Sequence, residues 1–101
     1  MDGYELSEQA QAALEAAIEY TVEHFGRAQA VRAAQRVFEA AESLAAMPES
    51  GHRRADLTGE TVLFWTIPKL GITLVYDPQA TPLLILHIVG PGQDSSELFR
   101  G

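Results

Sequence analysis

The hydrophobic period of this chain changes once, near residue 50, and that change limits what the chain can fold into. From Glu8 to Ala46 apolar side chains recur at steps of three and four, the spacing that lines one face of a helix, and only Gly26 interrupts the run. Beyond Met47 the step falls to two. Thr61–Ile67, Ile72–Asp77 and Leu83–Val89 are β-branched and aromatic, and they are separated by the short turn sequences Pro68-Lys69-Leu70-Gly71 and Pro78-Gln79-Ala80-Thr81-Pro82. A chain written this way reads as two helices followed by three strands.

The first half carries its own punctuation. Tyr4-Glu5-Leu6 alternates like a short strand and Ser7 is a good helix N-cap. The first stripe runs through Ala10, Leu14, Ala17, Ile18, Thr21, Val22 and Phe25, and Gly26 stops it. The second runs through Ala30, Val31, Ala34, Val37, Phe38, Ala41, Leu44 and Ala45. A link of one or two residues forces the helices to fold back as an antiparallel hairpin. Glu15, Glu19 and Glu23 form an acidic ridge at i, i+4 on the first helix, to be solvated or neutralised by a neighbour, and Arg32 and Arg36 form a basic ridge on the second that the hairpin allows to face it. Met47-Pro48-Glu49-Ser50-Gly51 then breaks the helix. The prolines at 48, 68, 78, 82 and 91 all fall at element edges, where a missing N–H harms no ladder. Asp94 or Ser95 is expected to cap a short turn through Leu98 and Phe99.

The order is short N-terminal strand, antiparallel helical hairpin, three-stranded antiparallel meander, an α+β domain of two layers expected to span residues 1–101. Strict alternation puts Val62 and Phe64 on the face opposite Leu63, Trp65 and Ile67, and Leu83 and Ile85 opposite Leu84, Leu86 and Ile88. That is more apolar material than one hairpin covers, so a partner segment or a second copy is expected over the other face. With 47% hydrophobic and 21% charged residues the chain is too apolar to stay disordered. Its apolar runs are too short for a membrane span, and the acidic N-terminus has no secretory pattern. There is no cysteine, so thiolate chemistry and disulfides are excluded and a cytoplasmic location is expected. The formal charge of −7 argues against non-specific binding to DNA or RNA, whose affinity comes from basic side chains.

The order of elements and its wording resemble the RelE/ParE superfamily of type II toxin–antitoxin toxins, and more closely the ParE-like branch, whose hairpin is long. The likeness is carried by Tyr4-Glu5-Leu6-Ser7 with Ala10 and Leu14, by Leu44-Ala45-Ala46-Met47-Pro48 with Gly51-His52-Arg53, and by Leu63-Phe64-Trp65-Thr66-Ile67-Pro68. Leu74-Val75-Tyr76 and Ile85-Leu86-His87-Ile88-Val89 complete it. The resemblance implies a RelE/ParE-like two-layer fold and a toxin neutralised by a cognate antitoxin that wraps around it as a hetero-oligomer. For the ParE-like branch it implies DNA gyrase inhibition by protein–protein interaction. The alternatives it implies are a RelE-like ribosome-dependent mRNA endoribonuclease, working through Lys, Arg, Tyr and His, or an atoxic antitoxin-binding family member. Two positions depart from the pattern: Thr61 and Gln93 stand where relatives often carry arginine, which argues against RNA cleavage.

Few side chains are placed to carry chemistry. His52-Arg53-Arg54 is the densest basic cluster, and Arg offers a planar fork of donors to a phosphate or a carboxylate. In the endoribonuclease reading Arg53, Arg54, Tyr76 and His87 are the catalytic candidates, as charge stabilisers and as acid and base. In the partner-binding reading the candidates are His52, Arg53, Arg54, Trp65, Lys69, Glu15, Glu19 and Glu23. The three histidines have no metal-ligand spacing, and no phosphate-binding glycine loop is present, so neither metal nor cofactor is implied.

Overall fold

The computed structural model describes residues 3–54 and 61–90. Strand β1 (Tyr4–Leu6) leads into helices α1 (Glu8–Phe25) and α2 (Arg27–Ala46), then a 3₁₀ turn at Pro48–Ser50, and strands β2 (Leu63–Ile67), β3 (Ile72–Asp77) and β4 (Leu83–Val89). The sheet order is β1-β4-β3-β2. β2, β3 and β4 form the antiparallel meander, and β1 adds to it in parallel beside β4. Thr61 and Val62 lie just outside β2, so that strand is shorter than the apolar run. The expected cap at Asp94 or Ser95 lies outside the described residues.

One serine ties three elements together. Ser7 stands in extended backbone at φ −66°, ψ 164°. Its Oγ accepts the Ala10 N–H at 3.0 Å and donates to the Leu86 carbonyl at 2.8 Å, while its own N–H bonds the Ile85 carbonyl at 3.0 Å. The helix cap is thus bolted to β4. We expect Ser7→Ala to cost about 1–2 kcal/mol in denaturant melts, since the cap is lost and the half-buried Leu86 carbonyl loses its donor.

Gly26 alone joins the helices. Its φ of 90° suits a residue without Cβ, its N–H bonds the Val22 carbonyl at 3.0 Å, and its own carbonyl accepts the Ala30 N–H at 3.2 Å.

The hairpin packs on one face of the sheet. Ala10, Leu14, Val37, Ala41 and Leu44 meet Leu63, Ile67, Ile72, Leu74, Tyr76, Leu83, Ile85 and Ile88 in the main core. The helices are rotated from the stripes expected: Val22, Phe25, Val31 and Phe38 are exposed, and Ala33 is buried instead. Where two helices and a sheet meet closely, alanine and threonine fit the seam and the larger side chains turn outward.

Two further expectations are corrected. Ile88 does not share a face with Leu84 and Leu86. Tyr76 pairs with Ile85 and Val75 with His87, so Leu86 is an extra residue in β4. This bulge shifts the alternation by one and returns Ile88 to the face of Leu83 and Ile85. The opposite face is also less bare than expected: Val62, Phe64, Val75 and Val89 are buried in the chain itself, with Leu86 packed against them.

Candidate functional site

His52, Arg53 and Arg54 follow the 3₁₀ turn and run beside β2. His52 and Phe64 exchange both backbone hydrogen bonds at 2.8 Å, which extends the sheet by one bridge. The His52 ring stacks on Trp65, centroids 6.4 Å apart, and Trp65 is half-buried against the main core. Arg54 lies over the Phe64 ring at 6.0 Å. Arg53 faces an open cleft of about 380 Å³, shared with Glu49, Thr61, Leu63 and Gln79. Glu49 opposes Arg53 there, and Thr61 brings no charge. Those side chains leave the cleft without the surplus of positive charge that a phosphodiester calls for.

Tyr76 is fully buried and reaches the cleft only through Gly51, which lines it. Its hydroxyl donates to the Pro48 carbonyl at 2.6 Å and accepts the Gly51 N–H at 2.9 Å. Burial pushes its pKa up, the Gly51 hydrogen bond pulls it down, and the Glu49 charge raises it further; the net direction is upward. Both sides of the hydroxyl are occupied by backbone. It holds the chain at the end of α2 against the sheet.

His87 lies on the other face, in line with Val75 and Phe64 across β4, β3 and β2. The structure therefore does not bring Tyr76 and His87 together. The backbones of Phe64, which lies under Arg54, and His87 are two strand spacings apart, roughly 10 Å. The His87 Nδ1 is buried with no hydrogen-bond partner among the described residues, and burial lowers its pKa. A histidine held neutral in the fold adds stability above its ordinary value near 6.5 and loses it as pH falls. We expect the wild type to lose stability between about pH 7 and 5 more steeply than His87→Val, read as urea midpoints across that range.

The acidic ridge and the basic ridge do not neutralise each other by ion pairs. The Arg32 Nη2 donates to the Gln29 side-chain oxygen at 2.8 Å, and the Arg36 Nη2 to the Pro68 carbonyl at 2.9 Å. Glu15, Glu19 and Glu23 are exposed, and among the described residues they form no ion pair with either arginine. Lys69 occupies the β2–β3 turn at φ 69°. Beside it lies a cleft of about 220 Å³ lined by Phe25, Gln29 and Leu70, among others, at the tip of the hairpin. Sequence reasoning missed this second cleft, since Phe25 reads as core; its one signal was a lysine kept inside a turn where glycine fits better.

No group of three metal-ligating side chains is found among the described residues, and no described helix is long and apolar enough to cross a membrane.

Comparisons place this geometry among known proteins. Residues 4–94 match the family described as ParE toxin of type II toxin-antitoxin system, parDE. A solved structure described as "Chromosomal ParDE TA system from P. aeruginosa" aligns with a TM-score of 0.70 over 84% of this chain and 90% of that one, at 21% identity. At that identity the likeness concerns the fold. No curated protein sequence matches.

Proposed function

Because the chain belongs to the ParE toxin family of type II toxin–antitoxin systems, we propose that it is the toxin of such a pair, acting in the cytoplasm by protein–protein contact on DNA gyrase and silenced by a cognate antitoxin. The observation that carries the choice of contact over catalysis is the fate of Tyr76 and His87. They lie on opposite faces of the sheet, and the tyrosine hydroxyl is spent on the Pro48 and Gly51 backbone. An attack by an RNA 2′-hydroxyl needs an acid and a base converging on one phosphate. The described residues offer no such pair beside Arg53 and Arg54.

The test is induced expression with and without a co-expressed antitoxin, scoring growth, DNA-damage response and mRNA integrity together. Filamentation with intact mRNA is the expected result. Rapid arrest of translation with cuts in ribosome-bound mRNA supports the endoribonuclease alternative instead, and normal growth an atoxic member.

The hairpin suggests what the antitoxin meets. An unneutralised row of Glu15, Glu19 and Glu23 fits a segment carrying Lys or Arg, and such matching acts mainly on encounter. Glu15→Gln, Glu19→Gln, Glu23→Gln together should slow antitoxin association about tenfold at low ionic strength and flatten its salt dependence. An unchanged rate and salt slope would remove the ridge from partner choice.

A further inference from the structure

At the tip of the hairpin, Phe25 closes α1 and is 66% exposed, although the step to α2 is made by one glycine. Across from it the β2–β3 turn brings up Leu70 and Ile72, and α2 contributes Gln29 and Ala33. The result is a concave cleft of about 220 Å³, more apolar than polar and enough for one large side chain.

Cations gather at its edge in a chain that is otherwise acidic. Lys69 lines the cleft. The guanidinium of Arg36 is held beside it by the Pro68 carbonyl, and that of Arg32 by the Gln29 amide oxygen. Both acceptors are neutral, so neither charge is cancelled by its partner. Glu39, one turn beyond Arg36, forms no ion pair with it among the described residues. No acidic residue lines the cleft. In a chain of net charge −7 the charge on the cleft lining itself is thus positive, that of Lys69.

Lys69 also sits where glycine is the natural choice. Its φ of 69° is left-handed backbone, which costs a residue with a Cβ on the order of 1–2 kcal/mol. In the same turn Gly71 takes φ 68° without that cost. A side chain kept in strained backbone next to an apolar cleft points to use of the side chain.

We propose that this cleft docks an acidic peptide segment of a partner protein, one large apolar side chain entering between Phe25 and Leu70 while flanking carboxylates meet Lys69, Arg36 and Arg32. The inference deepens the antitoxin reading by naming the chemistry of one contact, and it rests on that reading only for the source of the segment. It also differs from the contact expected at the Glu15–Glu23 ridge, which calls for the opposite charge.

The probe is a capped hexapeptide, Asp-Glu-Leu-Phe-Glu-Asp, titrated into the ¹⁵N-labelled full chain, with a second peptide in which every acidic residue is lysine. The acidic peptide should shift the amides of Ala33, Leu70 and Ile72 and bind more weakly as salt is added, while the basic peptide leaves them in place. Lys69→Gly should weaken binding about fivefold without lowering the melting temperature, because the substitution removes the charge and relieves the strain. Phe25→Ala, at an exposed position, should weaken it as well. Equal response to both peptides, shifts confined to other surfaces, or full affinity in Lys69→Gly would overturn the proposal. Failure here leaves the growth assay untouched, so loss of the cleft and loss of the toxin reading are separate results.

Discussion

Replacing Gly51 with alanine should destabilise the protein by about 2–3 kcal/mol, which for a chain of this size lowers the melting temperature by roughly 10–20 °C. A Cβ at that position would stand 2.5 Å from the Tyr76 hydroxyl, 2.9 Å from its ring and 3.0 Å from the Phe64 carbonyl. Neither neighbour can retreat cheaply. The tyrosine ring is fully buried in the main core, and the Phe64 carbonyl is held by the His52 N–H at 2.8 Å. Relief therefore has to come from moving the Pro48–Gly51 backbone, which gives up both hydrogen bonds of the hydroxyl. Tyr76→Phe removes those two bonds without adding volume and should cost about 1–3 kcal/mol. In the Tyr76→Phe background the alanine at 51 meets one atom fewer, so its cost should shrink by at least about 0.5 kcal/mol. An unchanged melting temperature in Gly51→Ala would mean that the turn is not pinned to Tyr76.

The same tyrosine predicts an alkaline signature. Its pKa is raised in the fold, so its contribution is complete below pH 10, the ordinary value, and disappears as pH rises beyond it. Wild type should lose stability above about pH 10 more steeply than Tyr76→Phe does.

The second large effect separates residues that alternation treats alike. Ile88→Ala should cost about 2–5 kcal/mol, the range for truncating a fully buried side chain. Leu84→Ala and Leu86→Ala, both half-buried on the other face, should each cost less than about 1.5 kcal/mol. Equal losses at all three positions in urea titrations would contradict the bulge and restore the regular strand.

That comparison marks the boundary of what the sequence disclosed. The spans of α1, α2, β3 and β4 were legible because each is a long periodic run closed by Gly26, Pro48, Pro78 or Gly90, and local sterics decide such ends. The parallel pairing of β1 with β4 was not, since a three-residue strand says nothing about its neighbour. Neither was the bulge, because Leu86 differs in no local property from the leucines around it. Val22, Phe25, Val31 and Phe38 misled for a related reason. Period fixes that a helix has an apolar side but not how far it turns when two such helices share one sheet. Of the candidate site, the positions of His52, Arg53 and Arg54 on a loop were readable from composition. The placement of Tyr76 and His87 on opposite faces was not, because it depends on the register of β4 against β3.

The pairing of β1 with β4 also sets a schedule for synthesis. Among the described strands the one made first finds its neighbour only when the one made last has been completed, and the Ser7 hydroxyl waits for a carbonyl 79 positions further on. Contacts that bridge so much sequence form slowly, after local helix and hairpin structure. While residues 47–89 are being added the finished helical hairpin therefore has no complete sheet to match its apolar face, and the sheet closes only once Val89 is available. Truncated products ending before β4 would lack the floor on which α1 rests and would be prone to association or proteolysis rather than to any action on a target. A messenger cut short, or a translation event abandoned late, would on this account release a fragment without the finished surface.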